Sequence, residues 1–365
     1  MAQHVQLNQA GLSAVRVRRI VAVSRTLPNS TVSFTLDYVP DRQFIQVHRA
    51  HLKRNGVADR SPIETDESTD QPNARLYYDA RRRRLTFSTL KPGDRIEVDW
   101  SVVDHSADTE LPGLDGWVFP LNEQWPTDEM TISWDSKHEP LIAQLSQSKS
   151  PLKTNLIKRN HLRDNDLKNK TNQGFLMLSM INNWTRLDAL YRRGIESRYQ
   201  PTEFLAKTAR AIIGNETNQD KQLALLFSAV QQEVHYVGLE LGGHSRTPEW
   251  AENVWRRGLG DCKDKAALLI ALAKTVDIEL SFALIRTRLL PQLKHGLPTL
   301  ALFDHAAVYA PQWQRFLDPN QPNLGLDVLP ALIQGAQAHV VGTSSGLVQI
   351  PIGELNTERV EWTFA

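Results

Sequence analysis

The chain has 365 residues, of which 41% are hydrophobic and 23% are charged, a composition typical of a soluble globular protein. Its formal net charge of +1 gives no reason to expect nucleic acid or an anionic membrane as a partner. A single cysteine excludes an internal disulfide and any zinc or redox site built from paired cysteines. The histidines follow no recognised ligand spacing, so neither a metal ion nor a cofactor is predicted.

Residues 1–150 have the pattern of a β-rich domain. In Thr31–Tyr38 apolar residues alternate with polar ones, and Arg95–Val103 alternates in the same way. Between them, the dipeptide Asn55-Gly56 is a strong turn signal. Short strands at this spacing predict an antiparallel sandwich-like domain.

The basic run Arg81–Arg84 could be interpreted as a contact for nucleic acid. Charge runs are usually solvated, however, and the net charge of the whole chain is close to zero. We therefore predict that the run lies at the tip of a hairpin, between strands at Arg75–Tyr78 and Arg84–Ser88.

The pattern changes in the second half of the chain. The polar stretch Ser146–Gln173 predicts an exposed, irregular segment, which places a connecting segment at residues 151–180. Residues 181–345 combine amphipathic helix patterns with short strands and predict an α+β domain. The alternation in Glu354–Ala365 predicts that residues 346–365 begin a further strand or a C-terminal extension.

Targeting signals are not visible in the sequence. Met1–Ala10 lacks a basic start followed by an apolar run, so no signal peptide is predicted. The longest apolar run, Ala266–Ala273, is far too short to cross a membrane. These features leave the compartment undecided.

The only cysteine, Cys262, lies in the stretch Arg257–Lys265, between a glycine-flanked turn and a strong helix pattern. The helix carries apolar residues over much of its surface, so its start is expected to be rigid, and Asp261 is a candidate N-cap. A thiol at a helix start lies near the partial positive charge of unpaired backbone N–H groups, which favours the nucleophilic thiolate. The alternative is a small buried residue without chemistry.

A cysteine nucleophile needs a base to take its proton and a partner to orient that base. His305 lies at the start of the predicted strand Asp304–Ala310, and Asp318 ends the next predicted strand. If Pro311 and Gln312 are the centre of a hairpin, the two side chains lie directly opposite each other, with Cβ atoms roughly 4.5–5.5 Å apart. Each residue also has a plainer interpretation, as a structural histidine and as a turn-forming Asp-Pro pair.

These motifs resemble the transglutaminase-like superfamily, which has a papain-type fold. The resemblance covers roughly residues 180–345 and rests on four stretches: Val234–Gly238, Arg257–Lys265 with the helix after it, Phe303–His305 and Phe316–Pro319.

The first part of the chain resembles a second module more loosely. Residues 10–150 are similar to the β-rich domain of unknown function that commonly precedes the transglutaminase-like module in bacterial proteins. The similarity rests on Asn55-Gly56, Tyr78-Asp79 and Leu90–Asp94. Together the two resemblances imply an α+β protein in which a β-sandwich-like domain precedes a nucleophile helix packed on an antiparallel sheet.

The resemblance also implies roles for the site residues. Cys262 would be the nucleophile, His305 the general base and then acid, and Asp318 the orienting carboxylate. The chemistry would be acyl transfer from an amide through a thioester. The oxyanion would be bound by the Cys262 backbone N–H and by a second donor, for which we choose Tyr236. The rival donors are Trp250, Trp255 and Gln232, each of which is more simply a packing or surface residue.

Three functions are compatible with these residues. Water as the acceptor would make the protein a peptidase or amidase, to which we give preference, and an amine acceptor would make it a transglutaminase. A β-domain interaction protein with an inactive thiol module is the third. The expected partner is a peptide or protein substrate. Relatives with this layout usually carry an export signal and often continue into another C-terminal domain, so the resemblance suggests the periplasm or cell envelope, and the cytoplasm is the alternative.

Overall fold

The structure is a computed structural model that describes residues 1–7, 13–23, 31–105, 114, 116–121, 127–136, 141–162, 174–240, 246–343 and 345–352. The chain divides into two compact units, each built from three segments. The first unit consists of Met1–Ile195, Tyr236–Pro248 and Leu293–Leu302. The second unit consists of Glu196–His235, Glu249–Gln292 and Phe303–Ala365. The domain boundaries near residues 150 and 180 stay a prediction.

The described residues form short strands throughout and helices in the second half. The helices are α1 (Trp184–Ile195), α2 (Glu203–Ile213), α3 (Gln219–Glu233), α4 (Ala251–Arg257) and α5 (Cys262–Lys274). The strands before α1 are β1 (Ala2–Leu7), β2 (Ser13–Ala22), β3 (Val32–Tyr38), β4 (Gln43–Arg54), β5 (Val57–Arg60), β6 (Ile63–Ser68), β7 (Leu76–Tyr78), β8 (Arg81–Phe87), β9 (Arg95–Asp104), β10 (Gly116–Pro120), β11 (Thr127–Ser136), β12 (Ile142–Leu145), β13 (Leu156–Leu162) and β14 (Phe175–Ser179). The later strands are β15 (His235–Tyr236), β16 (Gly238–Glu240), β17 (Leu259–Gly260), β18 (Ser281–Arg286), β19 (His305–Ala310), β20 (Arg315–Leu317), β21 (Gln337–Val340) and β22 (Val348–Gln349).

The first unit is built on a seven-stranded sheet with the order β13-β11-β1-β2-β9-β4-β5. Smaller sheets have the orders β3-β8-β6 and β10-β14-β12. Most pairs are antiparallel, as predicted, but β1 runs parallel to β11, and β7 runs parallel to β16. The sheet arrangement and the helices of the second unit give a strand-rich α+β fold.

Alternating apolar residues place the cores of the first unit between its sheets. On the large sheet, Val17, Val98 and Trp100 are buried with Phe34 and Phe87 from the β3–β8 pair. A second buried cluster forms around β1, β11, β12 and β14. In β3 buried residues alternate with exposed ones, which is the period-two pattern expected of a sandwich strand.

The basic run is not at a hairpin tip, because Arg81–Arg84 begin strand β8, which lies between β3 and β6. Carboxylates on the neighbouring strands pair with it across the sheet. Arg82 Nε donates to Asp37 at 2.7 Å and Arg84 Nη2 donates to Glu67 at 2.6 Å. Opposite charges on facing strands stabilise the pairing, so the run is part of a cross-strand ladder.

The polar stretch predicted to be irregular, Ser146–Gln173, contains strand β13. This strand pairs with β11 at the edge of the large sheet. An edge strand can be polar because one side of it faces solvent, so it lacks the alternation by which a buried strand is identified. The rest of the stretch after Leu162 lies outside the described residues, as does Glu354–Ala365.

The second unit places α5 against a five-stranded antiparallel sheet of order β20-β19-β18-β21-β22. Helices α2, α3 and α4 also contact α5. Eleven consecutive α5 residues, from Lys263 to Ala273, are buried. A helix buried on all sides is held by the whole unit, so its N-terminus is fixed in space. None of the helices in the described part of the chain is long and apolar enough to cross a membrane.

Candidate active site

Cys262 is the first residue of α5, and it is half-buried. The predicted N-cap is present: Asp261 accepts hydrogen bonds from the backbone N–H groups of Lys263 and Asp264 at 3.1 and 3.2 Å. Asp264 in turn accepts from the Asp261 backbone N–H at 3.3 Å, which completes a capping box. The cap fixes the start of the helix and therefore the position of the thiol.

The glycine before the cap has a steric reason. A Cβ atom at Gly260 would lie 2.9 Å from Asp264 Cβ and 3.1 Å from Val254 Cγ1. Such distances are shorter than van der Waals contact, so a side chain would push the turn away from α4 and α5. Gly258, which ends α4, has a left-handed φ of 64°. The two glycines let the chain turn tightly into α5.

His305 and Asp318 are joined by a hydrogen bond of 2.8 Å between His305 Nε2 and Asp318 Oδ2. His305 begins β19, and Asp318 directly follows β20. Both side chains are shielded from solvent, with 14% and 3% of their surfaces exposed. The structure thus brings together the two residues that the sequence predicted to be partners.

The predicted register of this hairpin is wrong, although the two side chains meet. The connection is Pro311–Gln314, with a 3₁₀ turn followed by Gln314 at a φ of 51°. Val308 consequently pairs with Leu317. If that register is extended by one residue, Asp318 lies opposite Ala307 and is therefore diagonal to His305. Because strands alternate with a period of two, this shift of two residues keeps both side chains on one face.

Asn320 is a site residue that the sequence reasoning missed. Its backbone N–H donates to Asp318 Oδ1 at 3.1 Å, and its side-chain amide donates to the same oxygen. The amide also donates to the Ala306 carbonyl oxygen at 3.4 Å. Asn320 therefore holds one carboxylate oxygen while His305 engages the other. The available signal was the Asp-Pro-Asn sequence, because an aspartate often accepts from the N–H two residues later.

The charges of the pair support each other. Burial lowers the pKa of the His305 imidazole, but the charge and hydrogen bond of Asp318, and a hydrogen bond and charge interaction with Cys262, raise that pKa well above its ordinary value. Burial raises the pKa of the Asp318 carboxyl, but His305 and the two hydrogen bonds from Asn320 hold it below its ordinary value. The arrangement favours an imidazolium between a carboxylate and the sulfur of Cys262.

A second missed residue is Lys265, one turn after Cys262 on α5. Only 2% of it is exposed, and its Nζ donates to the Val234 carbonyl oxygen at 2.7 Å. Burial lowers the pKa of this lysine to about 8, against the opposing attraction of Asp318. Val234 ends α3, so the ammonium lies at the negative end of that helix dipole. Lys265 thereby ties α5 to the end of α3.

The predicted second oxyanion donor, Tyr236, is half-buried in β15 and is one of the residues of the first unit. Its role stays a prediction. Among the rivals, Trp250 is 46% exposed and stacks with the Arg198 guanidinium at 5.0 Å from the ring centre. Trp255 is half-buried in α4, and the Gln232 amide donates to Ser228 Oγ at 3.0 Å.

Comparisons with known proteins concern the fold. Residues 24–154 match a family described as a domain of unknown function with a solved structure, DUF3857. Curated proteins give no match. A solved structure named as a putative protease from Parabacteroides distasonis has 15% identity and a TM-score of 0.69, and the alignment covers 96% of this chain and 70% of that one.

A second solved structure, named as a putative cysteine protease from Cytophaga hutchinsonii, has 12% identity and a TM-score of 0.26, with 96% and 92% of the two chains covered. At these identities the likeness to the Parabacteroides structure shows the fold alone. The chain is therefore a strand-rich α+β protein that shares its fold with that protease-named structure and matches a domain of unknown function over its first part.

Proposed function

We propose that the protein is a cysteine-dependent amide hydrolase, a peptidase or amidase, that works through a thioester on Cys262. The observation that supports this most directly is that His305 interacts with both Asp318 and Cys262. Cys262 itself is at the start of a buried, capped helix. The fold shared with a structure named as a protease agrees with this function.

Acylation begins with the Cys262 thiolate, whose proton resides on His305. Since His305 Nε2 donates to Asp318, Nδ1 is the ring nitrogen that exchanges a proton with the sulfur. The sulfur attacks the amide carbonyl carbon, and the electron pair of the C=O bond moves to oxygen. The oxyanion is stabilised by the Cys262 backbone N–H at the helix start. His305 then protonates the amine, the C–N bond breaks, and a thioester remains.

Deacylation uses the same residues in reverse. His305, now neutral, takes a proton from water through Nδ1 while the water oxygen attacks the thioester carbon. The C–S bond breaks, the thiolate is restored beside the imidazolium, and the acid leaves. Asp318 stays ionised throughout and holds the ring in one orientation. Because Asn320 fixes the other Asp318 oxygen, this orientation is set before the substrate arrives.

The reactivity of the thiol tests the proposal without knowledge of the substrate. Iodoacetamide labels Cys262, the only thiol in the chain, and mass spectrometry follows the rate. We expect rapid labelling at pH 6 that His305→Ala slows strongly. Labelling at pH 6 as slow as that of a free thiol, and unchanged by His305→Ala, would remove the catalytic interpretation and favour an interaction protein.

The acceptor is tested next. Peptide substrates are incubated with and without a primary amine, with Cys262→Ala as the control. Hydrolysed product without amine incorporation supports the hydrolase. Predominant incorporation of the amine would identify a transglutaminase, and cleavage that persists in Cys262→Ala would contradict a thiol mechanism.

A further inference from the structure

A cavity of about 500 Å³ opens in the second unit beside α3. One wall consists of α3 side chains, among them Phe227, Ser228 and Gln232. His235, just after the helix, and the segment Pro322–Leu326 complete the lining. The volume is sufficient for one or two amino-acid side chains, and the lining includes none of Cys262, His305 and Asp318.

The walls of this cavity are braced by a buried amide. Gln231, which is 7% exposed, donates through Nε2 to the Gln321 carbonyl oxygen at 2.7 Å and to the Leu324 carbonyl oxygen at 3.1 Å. Buried polar groups that are satisfied in this way hold their surroundings in one arrangement. The loop wall is therefore fixed to α3, and the cavity is formed before any ligand binds.

Chain connectivity limits how far the cavity lies from the nucleophile. The His235 backbone N–H donates to the Gly258 carbonyl oxygen at 2.9 Å, and Gly258 is four residues before Cys262. On the other side, Pro322 is four residues after Asp318. Four residues span at most about 14 Å, so both routes keep the cavity near the site. A substrate peptide attached at the thiol covers the same length in about four extended residues.

The lining combines apolar surface with neutral polar side chains and the imidazole of His235. Ser228, Gln232 and Asn323 offer a hydroxyl and two amides, beside the apolar surfaces of Phe227 and Leu324. Among the described residues that line the cavity, none is Asp, Glu, Lys or Arg. A basic ligand group would lose water there without gaining an opposite charge, because no carboxylate is among these residues, whereas amides and hydroxyls can exchange hydrogen bonds with the wall.

From these observations we infer that the α3 cavity is a specificity pocket, which binds an uncharged polar side chain, an amide or a hydroxyl, of a peptide substrate within about four residues of the amide that Cys262 attacks. The inference rests on the proposed function and adds the class of substrate to it. Gln232 is the specificity-determining residue, because it lines the cavity, is exposed and donates to Ser228 Oγ, which also lines the cavity.

The test measures protection of Cys262 from iodoacetamide by hexapeptide pools, each with one fixed position that is neutral polar, acidic or basic. Protection needs binding but no turnover. It is expressed for every variant relative to its own labelling rate without peptide. The variants are Gln232→Glu and Gln232→Lys, and the matched control is Leu225→Glu, which adds the same charge to α3 at a residue that is 41% exposed and outside the lining.

We expect neutral polar pools to protect the wild-type protein best at one fixed position. Gln232→Glu should shift that preference toward basic pools and Gln232→Lys toward acidic pools, each by about tenfold in the protecting concentration. Leu225→Glu should keep the wild-type ranking. Because Gln232 lies on the surface, these substitutions spare the core, and circular dichroism verifies the fold.

Each of three results would refute the proposed specificity pocket. They are equal protection by all pools, no protection by any pool, and the same ranking of pools in both Gln232 variants. These outcomes are separable from failure of the proposed function. If His305→Ala slows labelling but both Gln232 variants keep the wild-type ranking of pools, the nucleophile is retained and the pocket is rejected. If His305→Ala has no effect, the proposed function itself fails.

Discussion

Replacing Asp318 by asparagine tests how the imidazole is oriented. Two Asn320 donors point at Asp318 Oδ1, so the oxygen of the new amide is expected to stay there. Its NH₂ group then faces His305 Nε2. In the wild type Nε2–H donates to the Asp318 carboxylate, whereas in the variant Nε2 must accept a hydrogen bond from the amide. The ring proton moves to Nδ1, and His305 can no longer take a proton from Cys262. Volume and shape are almost unchanged, so the substitution alters the tautomer and the charge only.

The size of the effect follows from the chemistry that is lost. A positioned acid–base group contributes about 10²–10⁴-fold to turnover, so Asp318→Asn should lower turnover by that factor. An unassisted thiol is only about 0.3% thiolate at pH 6, so labelling of Cys262 by iodoacetamide should fall by up to about 300-fold. Labelling rates from pH 5 to 9, followed by mass spectrometry, measure this change.

Asp327→Asn is the matched control, because its side chain is 77% exposed and surface ion pairs contribute little. It should label like the wild type. If folded Asp318→Asn protein labels within about twofold of the wild type at pH 6, the assignment of Asp318 as the orienting partner of His305 is wrong.

Three further predictions concern stability. Folding raises the pKa of His305 and lowers the pKa of Asp318. The pair therefore stabilises the fold fully between about pH 4 and 6.5. Its contribution is lost as pH rises through the folded histidine pKa, and also as pH falls through the folded aspartate pKa. The unfolding free-energy difference between wild type and His305→Gln should therefore be largest in that window, and a difference independent of pH would contradict it. Gly260→Ala should cost about 1–3 kcal/mol in urea unfolding, whereas Gly325→Ala, which meets no atom within 4 Å, should cost less than Gly260→Ala; equal costs would argue against the steric role. The folded pKa of Lys265 lies at about 8 against an ordinary 10.5, so the stability cost of the buried charge is relieved between these values. As pH rises through that range, wild type should gain stability relative to Lys265→Met, and a constant difference would exclude the titration.

The start of α5 could be predicted from sequence because its signals are local. Asp261 caps the helix, the glycines allow the turn, and the apolar run after Cys262 identifies a buried helix. His305 and Asp318 were also predicted to face one another, since strand alternation survives a shift of two residues. Their exact register depends on the turn at Pro311–Gln314, whose four-residue geometry is not encoded in alternation.

Most of what the sequence did not reveal depends on contacts between distant segments. Lys265 looks like an exposed helix lysine until the end of α3 is packed above it and covers its ammonium. Strand β13 is polar and acquires its conformation from pairing with β11 at a sheet edge. Asn320 follows a proline and lies in a stretch whose composition is that of a loop. For Lys265 and β13 the partner that determines the conformation lies far away in sequence, whereas the partner of Asn320, Asp318, is two residues away and becomes important only once His305 pairs with it.

The burial of α5 on all sides has a consequence for how this site tolerates change. From Lys263 to Ala273 every side chain contacts the interior, so a substitution there disturbs packing before it alters chemistry. Substitutions along the helix are therefore expected to reduce the stability of the fold first. If the protein is the proposed hydrolase, new specificities would be accessible instead through the exposed end of α3 and the loop after Asn320, where side chains change without repacking the core. Helix α5 is thus expected to be the part of the unit that tolerates substitution least, and the segments beside it are the part open to variation.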